Sequence, residues 1–511
     1  MASQNDFVSK LGPNFARLQD RYKDLRALGT SINMMYWDQS TYLPEKGADS
    51  RGTHLAILQR MRHELATAKD LGAWLDELSK SAQDLPQDSD EASFIRVARE
   101  DFERQVRIPA SLEARLSNQT SIAYETWKKA RAANDFGIVA SVMEKTLEIS
   151  REYANCLKEP HHTTLMDPMI DLADPGFTEQ SLKPLFKELR SFLVPLTERI
   201  VAAGPFDNAC LLQDFPENEQ LEFGKRVIST LGFDFERGRQ DMTAHPFMIR
   251  FASSDVRITT RVKRRDLNEA LFSTIHEAGH ALYELGIDPR FENTPLGEGS
   301  SSGIHESQSR LWENQVGRGL PFWEHFYPKL QEAFPRQLGS VPLLTFYRAI
   351  NRVERSLIRT DADEVTYNLH VMIRFDLESD LHADRLKIRD LPDAWNERYR
   401  TDLGLVPKNL SEGVLQDVHW FHGPIGGGFQ GYTIGNILSA QLFESARRAH
   451  PDLEDQFRAG DFSKLREWLK TQLHQFGRKF PGPDLIHRAT GAPLATKDYF
   501  KYLERKYSDL L

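Results

Sequence analysis

The sequence predicts a mainly α protein: one large helical domain over residues 1–511, with a small β-sheet beside its most distinctive motif. Three observations lead there. Apolar residues recur at helical spacing over long stretches, one short segment alternates like a strand, and no linker or fixed-period repeat divides the chain. In FGIVASVMEKTLEISREYANCLKE, Val139, Met143 and Leu147 repeat every four residues with polar residues between them. Similar patterns fill 12–30, 52–80, 88–135, 179–200 and 436–475. In DVRITTRV, Val256, Ile258, Thr260 and Val262 alternate with Asp255, Arg257, Thr259 and Arg261, and MIRF just before it is placed to pair with it across ASS. SAQDLPQDSDE and FDNACLLQDFPENE read as surface loops inside the domain.

Composition excludes several function classes. Hydrophobic residues make up 40%, enough for a core. The balance of 65 basic against 74 acidic residues, net −9, with no cluster of Lys and Arg, argues against nucleic-acid binding. No run of 18 apolar residues exists to span a membrane, and the opening MASQNDFVSK lacks the apolar core of a signal peptide. Two cysteines, Cys156 and Cys210, fit inert thiols in a reducing, cytoplasmic setting and exclude cysteine-ligated zinc.

The segment STIHEAGHALYELG, residues 273–286, carries the chemistry. Asp266 and Glu269 form a capping pattern and Gly286 a stop, so the spacing predicts a helix. Leu271, Ile275, Ala278, Leu282 and Leu285 make its apolar stripe, and His276 and His280 lie side by side next to it. Imidazoles one turn apart reach a single zinc at ~2.0–2.1 Å, and Glu277 stands one residue round, where it can take a proton from water on the metal. The competing reading is a helix with two surface histidines. A catalytic zinc needs a third protein ligand. The metzincin continuation is absent, because Tyr283 and Gly286 occupy its glycine and histidine positions. A glutamate on a later helix is the alternative, and GEGSSSGIHESQSRLWENQVGRG offers Glu298, Glu306 and Glu313. Glu306 is preferred: it falls in the first turn of a second helix, which Leu311, Asn314 and Gln315 continue away from the metal. Glu298 is in the loop, and Glu313 is two turns further on. The bland alternative for Glu306 is a carboxylate answering the helix dipole.

At these residues the chain resembles the carboxypeptidase Taq family of zinc metallocarboxypeptidases along almost its full length. The motifs stand in the family's order: WDQSTYLP from Trp37, HPF from His245, DVRITT from Asp255, HEAGH from His276, HESQS from His305, IRTDAD from Ile358 and GVLQDVHW from Gly413. The resemblance implies a helical fold with a deep central groove, similar to the neurolysin and angiotensin-converting-enzyme type. It implies removal of single residues from peptides with a free C-terminus, a homodimer, and zinc with cobalt tolerated. It assigns the metal to His276, His280 and Glu306 and the base to Glu277. Family members commonly carry F-G-Y-F-P-T-Y after QDxHW. Here the segment reads GGGFQGYTIGN, with Tyr432 matching the last tyrosine and the earlier one falling on or near Gly428.

Recognition of a terminal carboxylate calls for a guanidinium, and Arg359 in IRTDAD is the first choice, against simple pairing with Asp361 or Asp363. His419 and Tyr432 are candidates for the developing oxyanion, with packing beside Trp420 the alternative for His419. His245 and Arg257 are candidate substrate contacts near the strand. Arg257 and Arg261 share one strand face and could be merely solvated. His305 can support the metal site from behind, and Asp255 is a weaker candidate for that role. The glycine-rich GPIGGGFQG lacks the Lys and Ser/Thr of a phosphate loop and reads as a lid or a close approach to substrate. Endopeptidase or dipeptidyl cleavage on the same zinc site, and a metal-free helical binding protein, are the alternative functions.

Overall fold

Proline and glycine set where the apolar periodicity breaks into helices. The computed structural model describes residues 11–204 and 206–511, so the MASQNDFVSK reading lies outside the described residues. The chain runs α1 (Pro13–Thr41), α2 (Ala48–Ala66), α3 (Lys69–Ser81), α4 (Asp90–Arg107), α5 (Ala110–Ala133), α6 (Gly137–Leu157), α7 (Met166–Ala173), α8 (Glu179–Ala202) and α9 (Glu217–Leu231). Strands β1 (Gln240–Met242), β2 (Met248–Ala252) and β3 (Asp255–Thr260) follow, then α10 (Leu267–Gly286), α11 (Ser302–Arg310) and a π-helical turn, Leu311–Val316. The remainder is α12 (Leu320–Ala333), α13 (Pro335–Leu338), α14 (Leu343–Ile350), α15 (Tyr367–His382), α16 (Leu391–Leu403), α17 (Gln430–Ala449), α18 (Leu453–Ala459), α19 (Ser463–Gln472), α20 (Gly482–Thr490) and α21 (Lys497–Leu510). The fold is mainly α with one small sheet, as the sequence predicts.

Three of the expected long helices are divided. The 88–135 pattern stops at Ile108–Pro109, where the proline precedes α5 in an extended conformation. The 52–80 pattern is interrupted at Thr67 and Ala68. The 436–475 pattern contains Pro451 and Gly460, the latter at φ 83°, a left-handed conformation that suits glycine. The apolar spacing survives these breaks because each new helix turns the same kind of face inward.

Strand order is β1-β3-β2. β2 and β3 pair antiparallel, Met248 opposite Ile258 and Ile249 opposite Arg257, as their sequence suggested. β1, which joins β3 in parallel, is a three-residue strand with no alternating run to announce it. Val256 and Ile258 of β3 pack on Ile228, Phe233, Ala278 and Ala281. The sheet is thereby fixed to the back of α10. Among the described residues the apolar interior consists of one large cluster and three smaller ones, in the largest of which Phe15, Leu18 and Tyr22 of α1 meet Leu75, Phe94 and Ile287.

Helix α11 is wedged between α10 and α17, and two glycines make that possible. A Cβ at Gly279 would lie 2.7 Å from the Gln308 carbonyl oxygen, and one at Gly435 would lie 2.6 Å from Cβ of Glu306. Both flanking backbones therefore approach to a distance that no side chain permits.

Candidate active site

The Asp266 side chain caps α10 by accepting from the Asn268 amide at 3.1 Å. The expected partner Glu269 does not close a capping box: it pairs with Arg261 and with Lys263 at 3.0 Å. Gly286 ends the helix without left-handed geometry. It is needed for space, because a Cβ there would meet His474 Nδ1 at 2.6 Å. The apolar stripe is buried as expected, with Leu285 only half-buried. His276 and His280 face the Glu306 carboxylate, whose Oε2 lies 3.5 Å and 3.4 Å from their Nε2 atoms.

Glu306 sits one turn later in its helix than the sequence suggested. Ser301 is the cap, accepting from Ile304 at 3.2 Å, and Glu306 is the fifth helical residue, so the dipole reading does not apply. Its Oε1 accepts from Arg310 Nε at 2.7 Å and its Oε2 from Ser309 Oγ at 3.0 Å. Nor does the following segment continue the helix away. The π turn at Leu311–Val316 brings Glu313 back, and its Oε2 lies 2.9 Å from His276 Nδ1. Glu298, by contrast, pairs with Arg26.

The proton positions follow from the network. Glu313 is a carboxylate, so His276 Nδ1 carries the hydrogen and its Nε2 presents a lone pair. His305 Nε2 donates to Glu284 at 2.9 Å, so His305 Nδ1 accepts, and His280 Nδ1 donates to it at 2.6 Å. His280 Nε2 is therefore also a lone pair. With both rings neutral, three acceptors converge there, a repulsive arrangement that a cation, or a proton on His276, resolves. These residues can hold a metal ion: their ligand atoms lie within 4.8 Å of one another. The electrostatics agree. Burial lowers the His280 pKa to about 4 and keeps the ring neutral. Burial also opposes charge on His276, but Glu306 and Glu313 outweigh it and raise its pKa, so the field there favours positive charge. Burial pushes Glu306 up, but Arg310 and His276 hold it well below the usual carboxylate range.

Glu277 joins His276 on the wall of a cavity of about 560 Å³ and has no hydrogen-bond partner among the described residues. Burial raises its pKa to about 7, despite the nearby His276. A second charged group lies on residues 359–432. Asp417 accepts from His419 Nδ1 at 2.5 Å, Arg359 Nε at 2.6 Å and Arg374 Nε at 3.1 Å. Arg359 thus pairs with Asp417, and with neither Asp361 nor Asp363. Burial pushes Asp417 up, but His419 and the two arginines hold it far below the carboxylate range. His419 turns Nε2 to the Tyr432 hydroxyl at 3.4 Å, and Trp420 donates to Glu378 at 2.9 Å. Burial raises the Tyr432 pKa, so its phenol stays protonated.

The remaining candidates are dispersed. Arg257 is not a solvated residue: Asp255 holds it at 2.8 Å and its guanidinium lies 4.5 Å from the Trp37 ring centroid. Asp255 has no hydrogen bond to His276, His280 or Glu306, nor to Glu313, His305 or Glu284. His245 is exposed on the β1–β2 connection, with no hydrogen bond to the histidine cluster. His305 does stand behind His280. Glu284 completes that relay, and its signal was its place one turn after His280, as His280 follows His276. Gly428 borders open space.

Comparison with known proteins supports the same chemistry. A family model described as carboxypeptidase Taq (M32) metallopeptidase matches residues 17–507. The chain is 39% identical to thermostable carboxypeptidase 1 of Thermus thermophilus, over 97% of this chain and 98% of that one. It is 34% identical to carboxypeptidase 1 of Bacillus subtilis, over 96% and 97%. The crystal structure of an M32 carboxypeptidase from Deinococcus radiodurans R1 superposes with a TM-score of 0.95 at 47% identity, covering 97% of this chain and 99% of that one.

Proposed function

The chain belongs to the carboxypeptidase Taq (M32) family of metallopeptidases, and from that premise we propose a zinc-dependent carboxypeptidase that releases single amino acids from the free C-termini of peptides. Carboxypeptidase activity follows from the family. The zinc, the base and the anchor are our reading. The observation that carries it is the convergence of two imidazole Nε2 atoms and one carboxylate oxygen, all within 4.8 Å of one another.

His276, His280 and Glu306 would hold the metal, which when bound supplies a Lewis acid that acidifies water and polarises the scissile carbonyl. Glu313 and the His305–Glu284 pair fix the two imidazoles in the tautomer that exposes Nε2. Glu277, with a pKa near 7, accepts the proton of the attacking water and returns it to the leaving amine. The protonated Tyr432 phenol, with His419 Nε2 beside its hydroxyl, donates to the oxygen on which charge develops. Arg359, behind the cavity wall, directs positive charge towards a terminal carboxylate. Peptides with a free C-terminus are the substrates, and cobalt would serve in place of zinc. His245 and Arg257 contribute on the side of the sheet. A homodimer and cytoplasmic residence complete the proposal, and sedimentation of the purified protein tests the first of these.

The deciding experiment measures metal content together with free amino acids released from a peptide mixture. One zinc per chain with single residues released is expected. Dipeptide or internal products would replace the exopeptidase reading, and a metal-free, inactive protein would leave a binding protein.

A further inference from the structure

The group that reaches a substrate carboxylate must have a free hydrogen-bond donor at the cavity wall, and Arg359 does not. It is 6% exposed and is not among the cavity-lining residues. Its Nε donates to Asp417 at 2.6 Å, its Nη2 to the other Asp417 oxygen at 3.4 Å, and its Nη1 to the Tyr367 hydroxyl at 3.0 Å. The cations that do line the cavity are each paired with a carboxylate already. Arg310 holds Glu306 and Glu313, Arg318 holds Glu313, Arg352 holds Glu354 and Lys263 holds Glu269.

Tyr367 is different. It lines the same cavity as His276 and Glu277. Its oxygen accepts from Arg359, and no group among the described residues takes its proton. Its ring packs under the Arg310 guanidinium at 4.6 Å, and Arg310 in turn donates to Glu306. The phenol is therefore fixed beside a metal ligand. Its place at the start of α15 is secured by Asp363, which accepts from the Thr366 amide at 3.1 Å and the Thr366 hydroxyl at 2.8 Å. A phenol that accepts from a guanidinium is a stronger donor on its other side. The Tyr432 hydroxyl, by contrast, faces His419 Nε2 at 3.4 Å.

We propose that Tyr367 is the residue that touches the terminal carboxylate of the substrate, its hydroxyl donating to one carboxylate oxygen while Arg359 polarises it from behind. This rests on the carboxypeptidase reading above and makes Tyr367 the specificity-determining contact for a free C-terminus.

The test is Tyr367→Phe, which keeps the ring and its packing on Arg310. One peptide is assayed with a free and with an amidated C-terminus on parent and variant, with zinc content measured on both. Binding of a free amino acid, the product, is measured by calorimetry on the same preparations. For the free peptide, KM should rise roughly tenfold or more with kcat within a few-fold, the scale expected when a buried charged acceptor loses its donor. Amino-acid affinity should fall in step, while zinc content and the amidated peptide stay unchanged. Equal slowing of both peptides, or an unchanged KM for the free one, overturns the assignment. A parent enzyme that cleaves the amide as fast as the free acid overturns the carboxypeptidase reading itself, and that result needs no variant.

Discussion

Two buried groups of charge lie on either side of Tyr367, and they are built on opposite principles. Around Glu306, two imidazole Nε2 atoms lie within 3.5 Å of one carboxylate oxygen, each imidazole held by a hydrogen bond on its far side. Around Asp417, donors converge on one carboxylate, and Arg359, Arg374 and His419 satisfy it. The first group has ligand atoms that could hold a cation from outside. The second is complete within the chain. Nitrogens and a carboxylate that face one point mark a candidate ligand site, whereas a carboxylate saturated by donors of its own chain marks a support. A cation at the first and a substrate beside the second is the division of labour that the geometry favours.

The largest expected effect comes from the one acid in the first group that is neither a ligand nor paired. Glu277→Gln should keep the zinc and the fold and lower kcat by ~10²–10⁴-fold or more, since it removes the proton carrier alone. Metal analysis and kcat on the same sample check this, and an active variant would remove Glu277 from the mechanism.

Metal affinity sharpens the contrast within the first group. Glu306→Ala removes a ligand and should weaken zinc binding beyond the ~10–100-fold typical of losing an outer partner. Glu313→Gln should fall inside that range, because it releases only the His276 tautomer, and Glu298→Ala should change nothing. Competition with a zinc chelator ranks the three, and equal losses for Glu306 and Glu298 would put the third ligand elsewhere.

The second group should respond in stability and not in metal content. Asp417→Asn leaves Arg359 and Arg374 without their common anion, which for a buried pair costs ~3–5 kcal/mol. Urea unfolding measures the loss. If the variant instead lost zinc at unchanged stability, the two groups would not be separate units.

How much of this was legible depends on sequence distance. His276, Glu277 and His280 could be read because helix geometry alone places them, and Glu306 because few acids follow within reach. Glu284 obeys the same one-turn rule and went unnoticed. Glu313 is not legible as a neighbour of His276, since nothing in LWENQV signals that the helix widens into a π turn there. The Arg359–Asp417 pair spans 58 positions, beyond any local rule, so nearer acids were weighed first. β1 is too short to alternate, and the tight packing at Gly279 and Gly435 depends on which helices meet.

The smallest predicted effect is a pH dependence that isolates Glu313. Burial pushes its pKa up, but Arg310, His276 and Arg318 outweigh burial and hold it at about 2, against 4.5 for an ordinary glutamate. A depressed carboxylate contributes stability above its unfolded pKa and loses it as pH falls through the folded one. The window is therefore from about 4.5 down to about 2, and the upper limit of the contribution is about 3 kcal/mol. Other acids of the cluster, Glu306 among them, titrate in the same direction, so the parent's acid unfolding alone would not separate them. The difference between parent and Glu313→Gln does. Metal-free protein, unfolded in urea at a series of pH values, should show the parent more stable at pH 7 and the gap narrowing below about pH 4.5. A gap that stays constant to low pH would mean that Glu313 is held by geometry alone, and that its charge does nothing to bias His276 towards a cation.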